Sequence, residues 1–331
     1  MSAKMPTFTF MVIMSTMLVA VSTNTLFVWV MLELNMLTFI PMMHTSNSTL
    51  ETESSIKYLI PQSFGSGLFM AAMLFMPITT NSKILSTTAL IMKLGGAPLH
   101  SWFPITMQSI NLIPGFILTT WQKLAPLVLL TIPHLAHTPL IIFSAIMSAL
   151  WGSMAGLSQT NLLKLMAFSS INHLSWLMMA STFNLTITLI YLMSYSLSAL
   201  PVFLYMQTPK IMTYKTTLSP PLDNHTQLAL IMSVLSLASL PPLAMFLNKL
   251  PIIALMTKTN KLLMPLSLLL LGATISLYFY LSLVIMLTLN FNSLHKPTYT
   301  KNSLALKPTM YTLSMMFQCS ALFLWLSNPI S

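Results

Sequence analysis

Four charged side chains interrupt stretches that are otherwise apolar. Glu33 stands in Trp29-Val-Met-Leu-Glu33-Leu-Asn35-Met36, and Lys93 in Leu90-Ile-Met-Lys93-Leu-Gly-Gly-Ala-Pro98-Leu-His100. Lys123 stands in Thr119-Thr-Trp-Gln-Lys123-Leu-Ala-Pro126, and Lys249 in Pro241-Pro-Leu-Ala-Met-Phe-Leu-Asn-Lys249-Leu-Pro251. A charge in the middle of a lipid-buried helix costs ~2.5–3.5 kcal/mol, so four together oppose insertion by on the order of 10 kcal/mol. Lysines near a helix end can snorkel to the headgroups; a glutamate is too short to do so. A static Glu33–lysine pair would hold helices in register, but it leaves two lysines unexplained. The chemistry that uses all four is proton transfer. Removal from water disfavours a lysine's charged form and a neighbouring carboxylate favours it, so a lysine between those influences gains or loses a proton when its partner changes. Arginine would stay protonated.

Two histidines extend the set. His100 is seven residues after Lys93, two turns away if the helix continues through Gly95-Gly96-Ala97-Pro98, and His173 lies in Ser169-Ser-Ile-Asn-His173-Leu-Ser-Trp176. Each is either a proton relay or a hydrogen-bonded interior group. The other five histidines (His44, His134, His137, His225, His295) fall in expected loops, and Lys164 reads as an interface lysine.

The elements that must position these groups are membrane helices. Of 331 residues 55% are hydrophobic and 5% charged, against ~25% charged in soluble domains, so a soluble enzyme and a disordered tail are both excluded. A crossing takes ~20 mostly apolar residues. On that ruler the sequence predicts an all-α integral membrane protein with eleven spans, near 7–22, 25–43, 55–76, 84–103, 112–132, 139–157, 161–180, 184–206, 228–256, 262–287 and 308–327. The apolar run from Phe8 to about Val21 lacks transit-peptide character and reads as a retained first helix. The ninth span is too long for one straight crossing and holds Leu240-Pro241-Pro242, which removes two helix donors and predicts a broken helix. The fifth, ending near Lys123 and Pro126, is a weaker candidate for the same break.

All 14 basic residues are lysines, and eight of them (Lys4, Lys57, Lys164, Lys210, Lys215, Lys296, Lys301, Lys307) fall on the N-terminal side of these spans. Lys83, Lys258 and Lys261 fall on the other side, which places the N-terminus in the positive-inside compartment and the C-terminus opposite. One cysteine, Cys319, leaves no intrachain disulfide or cysteine-rich metal site, and no nucleotide-loop or zinc-protease motif is present. The thirty methionines read as packing, not metal ligands.

Taken in order, Met31-Leu-Glu33-Leu-Asn-Met36, Ala89-Leu-Ile-Met-Lys93-Leu-Gly-Gly-Ala-Pro-Leu-His100-Ser-Trp-Phe-Pro104, Thr120-Trp-Gln-Lys123-Leu-Ala-Pro126, Lys164-Leu-Met-Ala-Phe-Ser-Ser-Ile-Asn-His173-Leu-Ser-Trp176 and Leu240-Pro-Pro-Leu243 closely resemble the antiporter-like membrane subunits of NADH:ubiquinone oxidoreductase (respiratory complex I), specifically the subunit 2 family of animal mitochondria. The resemblance implies two inverted five-helix repeats with broken helices, 7–132 and 139–287, with 308–327 appended. It implies a proton-transferring set in which Glu33 tunes Lys93, Lys123 connects, and Lys249 lies nearest the exit side or the next subunit. It also implies no cofactor or metal on this chain; flavin mononucleotide, iron–sulfur clusters and ubiquinone would sit in other subunits. Expected partners are other membrane-arm and accessory subunits and phospholipid such as cardiolipin. The expected home is the mitochondrial inner membrane, with the N-terminus in the matrix and the C-terminus toward the intermembrane space. The chain departs from the family pattern at Ile105, where a polar or acidic residue is usual, at Leu163, where an arginine is frequent, and at Met245, where a glycine is usual near the double proline. From residues alone, a stand-alone cation/proton antiporter and a structural scaffold of the membrane arm stay open.

Overall fold

The computed structural model describes residues 4–44, 49–75, 82–206, 224–241 and 243–293, together with positions 312, 316 and 317. Among them are thirteen α-helices: α1 (Lys4–Val21), α2 (Thr25–Met43), α3 (Thr49–Phe75), α4 (Ser82–Leu94), α5 (Trp102–Ser109), α6 (Leu112–Thr119), α7 (Leu124–Leu130), α8 (Thr138–Leu157), α9 (Leu162–Ser181), α10 (Leu185–Met206), α11 (Asn224–Leu237), α12 (Ala244–Thr257) and α13 (Leu263–Ser293). Helices or broken helix pairs occupy the first ten ranges expected from sequence. The eleventh, 308–327, lies outside the described residues apart from three isolated positions, so the count of eleven stays an expectation. Six segments are long and apolar enough to cross a membrane, and three further apolar helices are shorter.

The surface is apolar, and the interior mixes apolar side chains with polar ones. Phe10, Val21, Phe64 and Tyr278 are exposed, whereas the buried serines, threonines and amides lie among the core's apolar side chains. Many of the buried serine hydroxyls turn back onto their own helix. Ser144, Ser148, Ser170 and Ser175, for example, donate to the carbonyl three residues earlier at 2.6–2.9 Å.

At the centre stands α9, begun by Asn161, whose side chain accepts from the Leu163 amide at 3.0 Å. Every one of its residues except Lys164 is buried. It packs against α5, α7, α8, α10, α12 and α13. Close approach by α8 is possible because α8 turns a stripe of small residues inward: Ser144, Ala145, Ser148, Ala149, Gly152, Ser153 and Gly156. A Cβ on Gly152 would lie 2.9 Å from the Asn172 backbone nitrogen. One on Gly272 of α13 would lie 2.8 Å from the Ala149 carbonyl oxygen.

Three helices are broken, and each break has a lysine beside it. The break near Pro241 is as expected: α11 stops at Leu237, Ser239 takes a left-handed φ of 59°, and α12 starts at Ala244. Met245, the third departure from the family pattern, is fully buried and receives the Ser194 hydroxyl at 3.5 Å on its sulfur. The fifth span also breaks, at Thr120, leaving a single 3-10 turn over Trp121–Lys123 between α6 and α7. The fourth range, expected as one span over 84–103, is instead two helices. Gly95 adopts φ +69°, its amide bonds the Met92 carbonyl, and the Gly96 amide bonds the Ile91 carbonyl. That paired bonding is a glycine-terminated helix end, which closes α4 at Leu94. His100 therefore does not sit two helical turns from Lys93. A smaller difference is that α3 begins at Thr49, not near 55, which puts Glu53 on the same helix as Lys57, paired with it at 2.5 Å.

Candidate functional site

Helix α3 is the spacer between the carboxylate and the first lysine. Ser66 donates its hydroxyl to Glu33 Oε1 on α2, and neighbouring Gly65 leaves room for the Lys93 stem, whose Cγ would lie 3.2 Å from a Cβ there. Glu33 is half-buried and Lys93 is 7% exposed. No ion pair within 4.0 Å joins them; the carboxylate acts on Lys93 through space. Lys93 occupies the last turn of α4, at the negative end of the helix dipole. The carbonyls of that end are satisfied: Gln62 Nε2 donates to the Lys93 carbonyl at 3.0 Å and Trp102 Nε1 to the Met92 carbonyl at 3.2 Å.

Lys93 and Lys123 line one cavity of about 20 Å³, together with Asn35, Tyr58, Gln62 and Gln122 among others. About 10–15 Å³ admits one water, so this amide-lined cavity is large enough for a single water. Gln122 Nε2 donates to Asn35 Oδ1 at 3.2 Å across this cavity.

Lys123 is 3% exposed. The 3-10 turn aims its ammonium at α9, where Nζ donates to the Ser170 carbonyl at 3.0 Å. The Phe103 and Tyr195 rings lie 5.4 Å and 5.6 Å from the same nitrogen. One turn along α9 is His173, and one turn further is Trp176, whose ring lies 5.0 Å from Lys249 Nζ. Ser170, His173 and Trp176 thus share one face of α9, spread over about 9 Å of helix rise. His173 feels both the Lys123 and the Lys249 ammonium. Lys249 itself is 5% exposed on α12, just after the break.

The structure therefore brings Glu33, Lys93, Lys123, His173 and Lys249 into one series, linked by α3, the cavity and α9. His100 is not part of it. Its ring packs against Trp151 of α8 at 5.8 Å, and it does not line the cavity. Ser66, Gln62, Asn35, Gln122, Ser170 and Trp176 were not singled out from sequence, although each lies within a turn or two of a flagged residue or on the face of α3 between two of them.

The family model described as NADH:quinone oxidoreductase/Mrp antiporter, TM, matches residues 79–276. The chain is 35% identical over 328 residues to NADH-ubiquinone oxidoreductase chain 2 of Loxodonta africana, covering 91% of this chain and 92% of that protein. It is 35% identical over 325 residues to the chain of the same name from Anopheles gambiae, covering 94% and 92%. In three dimensions it is similar to a chain of respiratory complex I from Thermus thermophilus with bound aureothin. The TM-score is 0.85 at 23% identity, over 99% of this chain and 80% of that one.

Proposed function

Because the chain belongs to the NADH-ubiquinone oxidoreductase chain 2 family and is a multi-pass membrane subunit of that enzyme, we propose that its part in proton translocation runs through Glu33, Lys93, Lys123, His173 and Lys249 in that order. The observation that supports this reading is the coincidence of three buried lysines with three helix breaks. Breaks free backbone carbonyls and make room for water at membrane depth, both of which a proton path needs.

A charge change in a neighbouring subunit acts first on Glu33, the least buried member of the series. As the hold of Glu33 on Lys93 weakens, the Lys93 ammonium releases its proton across the amide-lined cavity to Lys123. The Lys123 ammonium, held in a desolvated site, then gives up its proton, which moves along α9 by way of His173 to the neutral amine of Lys249. Electron transfer happens elsewhere: flavin, iron–sulfur clusters and ubiquinone belong to other subunits in this reading. The membrane is the mitochondrial inner membrane, with the N-terminus in the matrix. The lysine excess on that side supports the orientation and invites anionic phospholipid, although Lys210, Lys215, Lys296, Lys301 and Lys307 lie outside the described residues. Other membrane-arm and accessory subunits complete the assembly.

The test is Glu33→Ala and Lys93→Met in the assembled, membrane-reconstituted enzyme. Both should lower proton translocation while the enzyme still assembles. Normal translocation in both variants at full assembly would remove the first half of the series.

A further inference from the structure

His173 is held by a phenol that the series itself does not use. Its Nδ1 lies 3.0 Å from the Tyr191 hydroxyl of α10, and both side chains are fully buried, at 1% and 0% exposure. Tyr195, one turn along α10, lays its ring 5.1 Å from the imidazole while also standing against Lys123 Nζ. The ring is therefore fixed in place from one side. Its other nitrogen, Nε2, is buried with no hydrogen-bond partner among the described residues. A buried ring nitrogen left open is costly unless something engages it in another state. The charged groups that act on this ring are Lys123 and Lys249.

We propose that Tyr191 is a positioning residue for proton transfer: by holding Nδ1 of His173 it keeps Nε2 as the nitrogen that exchanges a proton between Lys123 and Lys249. This rests on the route described above and deepens it. In the step, Lys123 Nζ leaves the Ser170 carbonyl and moves within reach of the imidazole, its N–H bond breaks and an Nε2–H bond forms, giving an imidazolium whose Nδ1–H is bonded to the Tyr191 oxygen. The Nε2–H bond then breaks as the neutral Lys249 amine takes the proton, and the imidazole returns to its starting tautomer. Tyr191 keeps its own proton throughout. Without the Tyr191 hydroxyl the ring is free to turn, and either nitrogen can face the lysines. Transfer then waits on the correct orientation.

The experiment is a double-mutant cycle in the assembled enzyme, reconstituted into vesicles, with translocation measured at matched amounts of enzyme. Tyr191→Phe removes one oxygen and keeps the packing. It should slow translocation by about three- to tenfold, the range set by one hydrogen bond. In a His173→Gln background the same substitution should cause no further loss, because Tyr191 acts only through His173; a purely structural tyrosine would add its loss in both backgrounds. Tyr191→Gln, which restores a polar group, should recover part of the rate. Normal translocation in Tyr191→Phe, or an equal loss in the His173→Gln background, overturns the inference. Lys123→Met separates the two levels: if it abolishes translocation while Tyr191→Phe does nothing, the route stands and the role of Tyr191 falls. If Lys123→Met translocates normally, the route itself falls.

Discussion

Gly152 is where the packing of the site can be tested against a matched control. An alanine Cβ there would lie 2.9 Å from the Asn172 backbone nitrogen and 3.0 Å from the Phe168 carbonyl oxygen, and ordinary contact begins near 3.4 Å. Both atoms are α9 backbone, which cannot rotate away. To accept the methyl, α8 and α9 must separate by about 0.5 Å, the difference between 3.4 and 2.9 Å. Overpacking of this kind costs ~1–3 kcal/mol. The shift also reaches the site. Asn172 lies between Ser170 and His173, and a retreat of that size along the Lys123–Ser170 bond would lengthen it from 3.0 Å to about 3.5 Å, where little hydrogen bonding remains. Gly67 is the control, because a Cβ there meets nothing within 4 Å. Both replacements gain the same helix-propensity benefit of ~0.8–1 kcal/mol, so the difference between them isolates the clash. Gly152→Ala should reduce assembled enzyme several-fold relative to Gly67→Ala, measured on native gels. The enzyme that does assemble should translocate protons more slowly. Equal assembly and equal translocation in the two variants would refute the close approach of α8 and α9 as the device that sets α9 in place.

Two other perturbations probe the ends of the structure. Trp176→Leu removes the ring 5.0 Å from Lys249 Nζ, a cation–π contact of up to ~2 kcal/mol in a desolvated site. Because Trp176 is fully buried, assembled enzyme should also drop, so translocation is compared at matched amounts of enzyme. There it should fall, and an unchanged rate would show that the ring does not hold the ammonium. Asn111→Leu removes the amide that donates to Glu51, a carboxylate only 2% exposed. Losing a hydrogen bond to a charged group costs ~1.5–3 kcal/mol, so assembled enzyme should drop on native gels and recover in part when Glu51→Leu is added. No recovery would mean that the amide supports something other than this carboxylate.

Much of this architecture is legible in the residues because lipid leaves few options. Length and hydropathy locate the helices, Pro241-Pro242 locates one break, and each misplaced charge is visible against an apolar background. Gly95-Gly96 carries a helix-end signal as well, but a single apolar range over 84–103 hides it until the left-handed φ of Gly95 is seen. What joins the charges is harder to read. Helices whose interior faces are lined with serine, threonine and small residues, and whose outer faces are apolar, show no sharp periodicity, so the meeting of Ser66 with Glu33 or Ser170 with Lys123 does not follow from spacing alone. The central place of α9 is similar: burial on every face leaves no polar side by which to orient it. His100 shows the converse. Its spacing from Lys93 suggests two turns of one helix, and the helix end at Gly95 removes that geometry.

The measurement closest to the centre of this account is proton translocation by Lys123→Met enzyme, matched in amount to the unaltered enzyme and compared with Lys83→Met. Lys123 joins the cavity to α9, whereas Lys83 only donates to the Pro133 carbonyl at 3.3 Å on an exposed helix end. Loss of translocation in Lys123→Met, with Lys83→Met unchanged, is the expected result; equal translocation in the two would contradict a proton route through Lys123.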